Sequence, residues 1–321
     1  MLKDKQKNRR KLQMNSNPLY QSFDYVAFPC GIIEGSFDKS ELWICSNILD
    51  ICFSETNLWV LNRESSFLDK GPLITNKDEL YYYDLLYYPE KVIKQLQDII
   101  KDDWYIEGSF NEIAIPEKID YKRRDNIHSF FIYGYDDSEQ VFYAIGHTRS
   151  GQFETYDIKY DTFLESVRLN REDVSALLLT KSNDTFECFF DCEKVYQSID
   201  NYIKSKNKYI DIKKGTLCGI DALRTYVNYL ICQYKNKRKI DPRNSRLLSE
   251  NKRVFFKAIQ ILPSFGKVSQ EELEEIYDCY FRHHYLVLKY NLSGDISLIQ
   301  NIIIELNEVI EKEKRVLQMI M

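Results

Sequence analysis

The chain has 321 residues, 44% of them apolar and 14% aromatic, with only 7 prolines and 11 glycines; this excludes a disordered or low-complexity protein. Lys and Arg number 44 against 49 Asp and Glu, and the net charge of -5 excludes any global attraction to nucleic acid or to an anionic membrane, so a basic site must be local. No apolar run is long enough to span a bilayer or to form a signal-peptide core, so the expected location is cytoplasmic and the 8 cysteines are expected to be reduced thiols, several of them buried.

Residues 1–20, MLKDKQKNRRKLQMNSNPLY, are basic and expected to form a flexible N-terminus. FPCGIIEGSF follows, and then KSELWICSNILDICF, where Leu42, Cys45, Leu49 and Cys52 recur at helical spacing and predict a helix beginning near Ser40. DELYYYDLLYYPEKVIKQLQDIIKDD reads as two helical segments separated at Pro89, because the residue before a proline is pushed out of helical geometry. WYIEGSFNEIAI, HSFFIYGY, QVFYAIGH and GQFETYDIKY are aromatic and β-branched runs punctuated by Gly or Asp turns, which predicts an antiparallel meander. YDTFLESVRL predicts a helix crossing back, and VSALLLT a further strand of the same sheet.

Beyond residue 190 the pattern is helical: CEKVYQSIDNYIKSK, GIDALRTYVNYLICQYKNK, SRLLSENKRVFFKAIQILPSFG, SQEELEEIYDCYFRHHYLVLKYNLSG and DISLIQNIIIELNEVIEKEKRVLQMI. In the last of these Ile299, Ile302, Ile303, Leu306, Val309, Ile310, Val316 and Leu317 fall on one face, and Asp295 and Ser297 offer N-cap chemistry. The fold class is therefore α+β, helices packed on an antiparallel sheet over residues 21–190 with an all-helical extension over 191–321.

The chemistry-bearing candidates are few. Cys30, in AFPCGIIEG, stands at the entrance to the first helical region, where unpaired amides and the positive end of a helix would lower a thiol pKa. His128 opens a strand, and a helix-borne thiol facing a strand-borne imidazole is what a Cys/His pair needs. Read from the residues alone, a buried thiol and a hydrogen-bonded structural histidine fit the same pattern. Cys188 and Cys192 have no histidine or second pair nearby, and His283 and His284 point about 100° apart on a helix, so neither pair predicts a metal site. The tyrosines from Tyr81 to Tyr88 could line an acyl or aryl tunnel or belong to helix surface and core.

HSFFIYGYDDSEQVFYAIG with GQFETYDIKYDTFLESV behind it and PCG upstream resembles the papain-like cysteine-protease superfamily, and within it the bacterial branch named after the butirosin side-chain acyltransferase. Within that branch it is similar to the amide-forming kind known from closthioamide biosynthesis, protease-like proteins that join acyl chains to a diamine. The resemblance implies a papain-like fold over about residues 25–190, Cys30 as nucleophile, His128 as general base and later acid, and the backbone amides of Cys30 and Gly31 as the oxyanion hole. The family's third member, an Asp or Asn ending the next strand, would fall where this chain has Ala144, Ile145 and Gly146; His147 and Asp136 are the substitutes at hand, although Asp136 and Asp137 also read as turn residues. The slot of the family's oxyanion glutamine holds Asp24.

The function so implied is amide formation from an amine or diamine and an acyl thioester on an acyl or peptidyl carrier protein, in nonribosomal-peptide-type biosynthesis. No cofactor is implied beyond the phosphopantetheine arm presenting the substrate. Lys122, Arg123 and Arg124 are the densest cations near His128 and would hold that arm or its acidic carrier, with KNKRKIDPRNSR a second candidate dock. A cysteine peptidase or thioesterase, and a catalytically silent docking protein of the same fold, remain the alternatives.

Overall fold

A computed structural model describes residues 8–47, 50–54, 56–60, 71–206 and 215–321. Its elements are, in chain order, β1 (Arg9–Lys11), α1 (Asp24–Ser36), α2 (Ser40–Asn47), β2 (Ile51–Ser54), β3 (Asn57–Val60), β4 (Leu73–Tyr81), α3 (Tyr82–Tyr87), α4 (Pro89–Lys101), β5 (Tyr105–Asn111) and β6 (Ile127–Asp136). There follow β7 (Val141–His147), β8 (Phe153–Lys159), α5 (Tyr160–Arg168), β9 (Val174–Ser182), α6 (Cys192–Ile203), β10 (Leu217–Cys218), α7 (Gly219–Lys235), α8 (Pro242–Ile261), α9 (Gln270–Ser293) and α10 (Ile296–Ile320). The chain forms two units that share it alternately: one takes residues 1–18, 27–38 and 64–187, the other 19–26, 39–63 and 188–321.

The first unit is built on an antiparallel sheet of order β4-β9-β5-β6-β7-β8, with β1 paired to β6. Alternation along β5 and β6 sends two sets of aromatics to opposite faces. On one face Phe110 meets Phe130 at 5.4 Å and Phe163 of α5 at 5.1 Å, and Phe142 closes the cluster. On the other, Phe131 stacks on Tyr105 at 5.6 Å and on Phe28 of α1 at 4.6 Å. Phe28, Phe110, Phe130, Phe131, Phe142 and Phe163 are all buried, each side chain contributing about 1.5–3 kcal/mol.

Two readings of this region are corrected. Arg9–Lys11 do not fray but pair with Gly134–Asp136, and β1 fits because a Cβ on Gly134 would lie 2.6 Å from the Arg10 carbonyl oxygen. The DEL of DELYYYDLL is not helical: Asp78–Leu80 end β4, which pairs with β9 through nine consecutive residues from Leu73 to Tyr81. Only Leu73 and Leu80 of that strand are buried, so the backbone ladder and not an apolar pattern makes it. The helical break falls as read, with Pro89 at the first position of α4.

In the second unit β2 pairs with β3 and β10. Cys52 stands directly opposite Cys218 in register, and the two are joined by a disulfide. This corrects two expectations: the helix from Ser40 ends at Asn47, so Cys52 is in a strand, and not all cysteines are thiols. Leu49 lies outside the described residues. The contiguous domain 21–190 is corrected too, because α2, β2 and β3 pack with α7 and α8 of the second unit.

Helices α6 to α10 form the remainder of that unit. On α10 Ile299, Ile302, Leu306, Val309, Ile310, Val316 and Leu317 are buried, and Asp295 caps the helix by accepting from the Ser297 amide at 2.9 Å. A wholly buried polar cluster joins four helices: Lys252 Nζ donates to Glu313 Oε1 and to Tyr202 Oη, both at 2.6 Å. Glu313 Oε2 accepts from Tyr202 at 2.9 Å and from Tyr280 at 2.6 Å, which satisfies the buried carboxylate. No described helix is long and apolar enough to cross a membrane.

Candidate functional site

Helix α1 begins at Asp24 and contains Pro29, so Cys30 lies in its middle and not at its start. The unpaired amides of a helix belong to its first turn, and those of Cys30 and Gly31 fall beyond it, inside the ladder. The Cys30 thiol is thus beyond the first turn of α1, where the positive end of the helix lies. Phe28 lies flat against the sheet; Cys30, two residues on, is rotated about 200° around the helix and faces away from it. The side chain is fully buried.

His128 is the second residue of β6, opposite Phe110 of β5. Alternation puts it on the Phe110/Phe130 face, whereas Phe131, three residues on, lies on the face that receives α1. By this alternation His128 lies on the sheet face opposite the one that receives α1, the helix that carries Cys30.

What His128 does face is Glu112. The carboxylate follows β5 in a short turn whose amide at Ile113 is capped by Asn111 Oδ1 at 3.2 Å, and Glu112 is 4% exposed. His128 Nδ1 stands 3.7 Å from Glu112 Oε1, within ion-pair reach but too far for a hydrogen bond, and the imidazole is 45% exposed. The same oxygen is 3.7 Å from Lys118 Nζ, and Glu112 Oε2 accepts from Asn126 Nδ2 at 3.0 Å. Lys118, buried, donates to the His147 carbonyl at 2.8 Å and lies over the rings of Phe130 and Tyr156. A buried carboxylate behind a half-exposed imidazole is an arrangement that a general base can use.

The expected orienting residues are elsewhere. Asp136 ends the same strand, about 26 Å along it from His128, and accepts from the Ser138 hydroxyl at 2.6 Å; that bond holds its carboxyl below the usual range. It is a turn residue. His147 points to the other face of the sheet, its ring edge-on to Phe153 at 5.5 Å.

Of the cationic turn, Arg124 is committed to Asp120 through bonds of 2.6 and 3.2 Å, which keep the Asp120 carboxyl low. Lys122 and Arg123 are exposed, and the Lys122 ammonium lies 5.0 Å over the Tyr121 ring. Exposed Ile119 and Ile127 flank them. In KNKRKIDPRNSR, Arg243 is held by Asp241 and Arg246 by Glu250. Tyr81, Tyr83, Tyr87 and Tyr88 are exposed, so they line no tunnel. His283 and His284 bond Tyr226 and Ser245 at 2.9 and 3.0 Å. Among the described residues no group of His, Cys, Asp or Glu could hold a metal ion.

Glu112 and Lys118 escape a sequence reading that looks for carboxylates after the histidine and in the next strand. Within NEIAIPEKI they stand beside Asn111 and Glu117, so nothing local singles them out. No family profile and no curated protein sequence matches the chain.

Proposed function

We propose that this chain is a docking protein on a papain-like scaffold, which holds the acidic acyl or peptidyl carrier of a thiotemplated assembly line and forms no acyl-enzyme at Cys30. The observation that carries the reading is the position of Cys30, buried in mid-helix and turned away from the sheet that bears His128. The exposed cations Lys122 and Arg123 support the choice of partner, since they offer charge to a phosphodiester or to an acidic carrier surface. Incubation with an acyl-pantetheine thioester is expected to leave the intact mass unchanged; an acyl adduct mapped to Cys30 would overturn the reading. Reversing both cations, Lys122→Glu with Arg123→Glu, is expected to weaken carrier binding about tenfold or more in a titration at low salt.

The His128–Glu112 pair favours a second reading, acyl transfer without a covalent intermediate. His128 takes a proton from a primary amine, the amine nitrogen attacks the thioester carbonyl, the C–S bond breaks, and the imidazolium returns the proton to the leaving thiolate. Water in place of the amine gives the free acid, so the amine site must exclude it. Amide formation from a thioester and a diamine, lowered about 10²–10⁴-fold in His128→Gln and untouched in Cys30→Ala, would establish this route. Equal rates in the His128 variant and the parent exclude it.

A further inference from the structure

Tyr277, Phe281, Tyr285, Leu288 and Leu292 recur along α9 at intervals of three and four residues, which lays them in one stripe. The stripe faces solvent: Phe281 is 41% exposed, Tyr285 56%, Leu288 36% and Leu292 89%. The opposite side of the helix, with Ile276, Tyr280, His283 and Val287, is buried in the second unit. The three rings run in contact along the stripe, Tyr277 tilted against Phe281 at 6.0 Å and Phe281 edge to face with Tyr285 at 5.0 Å. A continuous aromatic and leucine surface of this kind marks an interaction site.

The charges beside it select the occupant. The first half of α9 carries Glu271, Glu272, Glu274, Glu275 and Asp278, and the second half carries Arg282 and Lys289. Asp278 and Lys289 are eleven residues apart, so the helical period sets them within about 20° of each other on the same flank of the stripe. Among the described residues neither has an ion-pair partner. Two copies related by a two-fold axis would lay the stripes together with the helices antiparallel. The acidic half of one then lies beside the basic half of the other, and the helix dipoles oppose. A parallel pairing would instead set Asp278 against Asp278.

We propose that α9 is a self-association surface, two copies of this chain packing stripe to stripe and antiparallel, centred between His283 and His284, with Asp278 of each copy paired to Lys289 of the other. Sedimentation velocity on the whole chain, over a dilution series at low salt, tests it. The parent is expected to be a concentration-dependent dimer, Asp278→Lys and Lys289→Asp each to raise the dissociation constant about tenfold, and the double exchange to restore the parental value. Phe281→Asp is expected to be monomeric. All three positions are at the surface, and far-ultraviolet circular dichroism identifies any variant that fails to fold. A parent that stays monomeric throughout, or a double exchange no tighter than the single ones, overturns the proposal.

Discussion

Burial decides the reactivity of the free thiols. It pushes Cys45 up to about 12, with Glu41 adding to the effect, and Cys188 and Cys279 up to about 11, so little thiolate exists at neutral pH, whereas Cys232 is exposed. Alkylation of the folded chain at neutral pH, followed by peptide mapping, is expected to modify Cys232 first and Cys30, Cys45 and Cys279 only on unfolding. Burial also pushes His283 down to about 3 and His284 down to about 4, from an ordinary value of 6.5. Below pH 6.5 the unfolded chain binds protons that the folded chain refuses, so stability is complete above 6.5 and falls as the pH drops toward 4 and then 3. Each histidine contributes about 1.4 kcal/mol per pH unit at most, and denaturant titrations in this window should show a shallower slope for His283→Gln. At this scale the sequence offers His128 as a candidate but does not reveal its neighbour Glu112. A one-residue parity decides which face a strand side chain takes, and the spacing to Cys30, nearly a hundred positions away, carries no information about it.

The elements divide by what makes them. Strands β5 to β8 are legible as aromatic and β-branched runs bounded by Gly and Asp turns, and helix α10 from the 3.6 period of its isoleucines. β1 and β4 are not, since polar residues such as Arg9, Arg10, Lys77 and Asp78 become strands only through the backbone of a partner. Helix junctions are specific in the same way. Gly219 starts α7 at a φ of 60°, and a Cβ there would collide with the Tyr202 carbonyl, so Gly219→Ala should cost about 1–2 kcal/mol for the left-handed backbone alone and more for the clash, read by thermal unfolding. Lys252→Met strands the buried Glu313 carboxylate and should cost about 3–5 kcal/mol. Replacing both, Lys252→Met with Glu313→Leu, should recover much of that loss in the same denaturant titration.

Over the whole molecule the composition shift near residue 190 is real in the sequence, yet the units do not follow it alone. Residues 39–63 belong with the helices that follow Cys188, and nothing local in KSELWICSNILDICF names a partner so distant. The Cys52–Cys218 disulfide ties those two parts of the second unit across a separation of 166 residues. Calorimetry with and without reductant should show the loss of about 2–4 kcal/mol on reduction, and mapping under non-reducing conditions should recover the Cys52 and Cys218 peptides joined.

This interleaving also sets an order of events at the ribosome. The first unit has all its residues once Glu187 has been added, whereas β2 and β3 must wait for the helices made after it, with Cys52 open to other thiols until Cys218 emerges. At about 5–20 residues per second the stretch from Glu187 to Cys218 takes roughly two to six seconds. A nascent chain stalled within it would carry a finished sheet domain and an orphan hairpin, the form most in need of a chaperone.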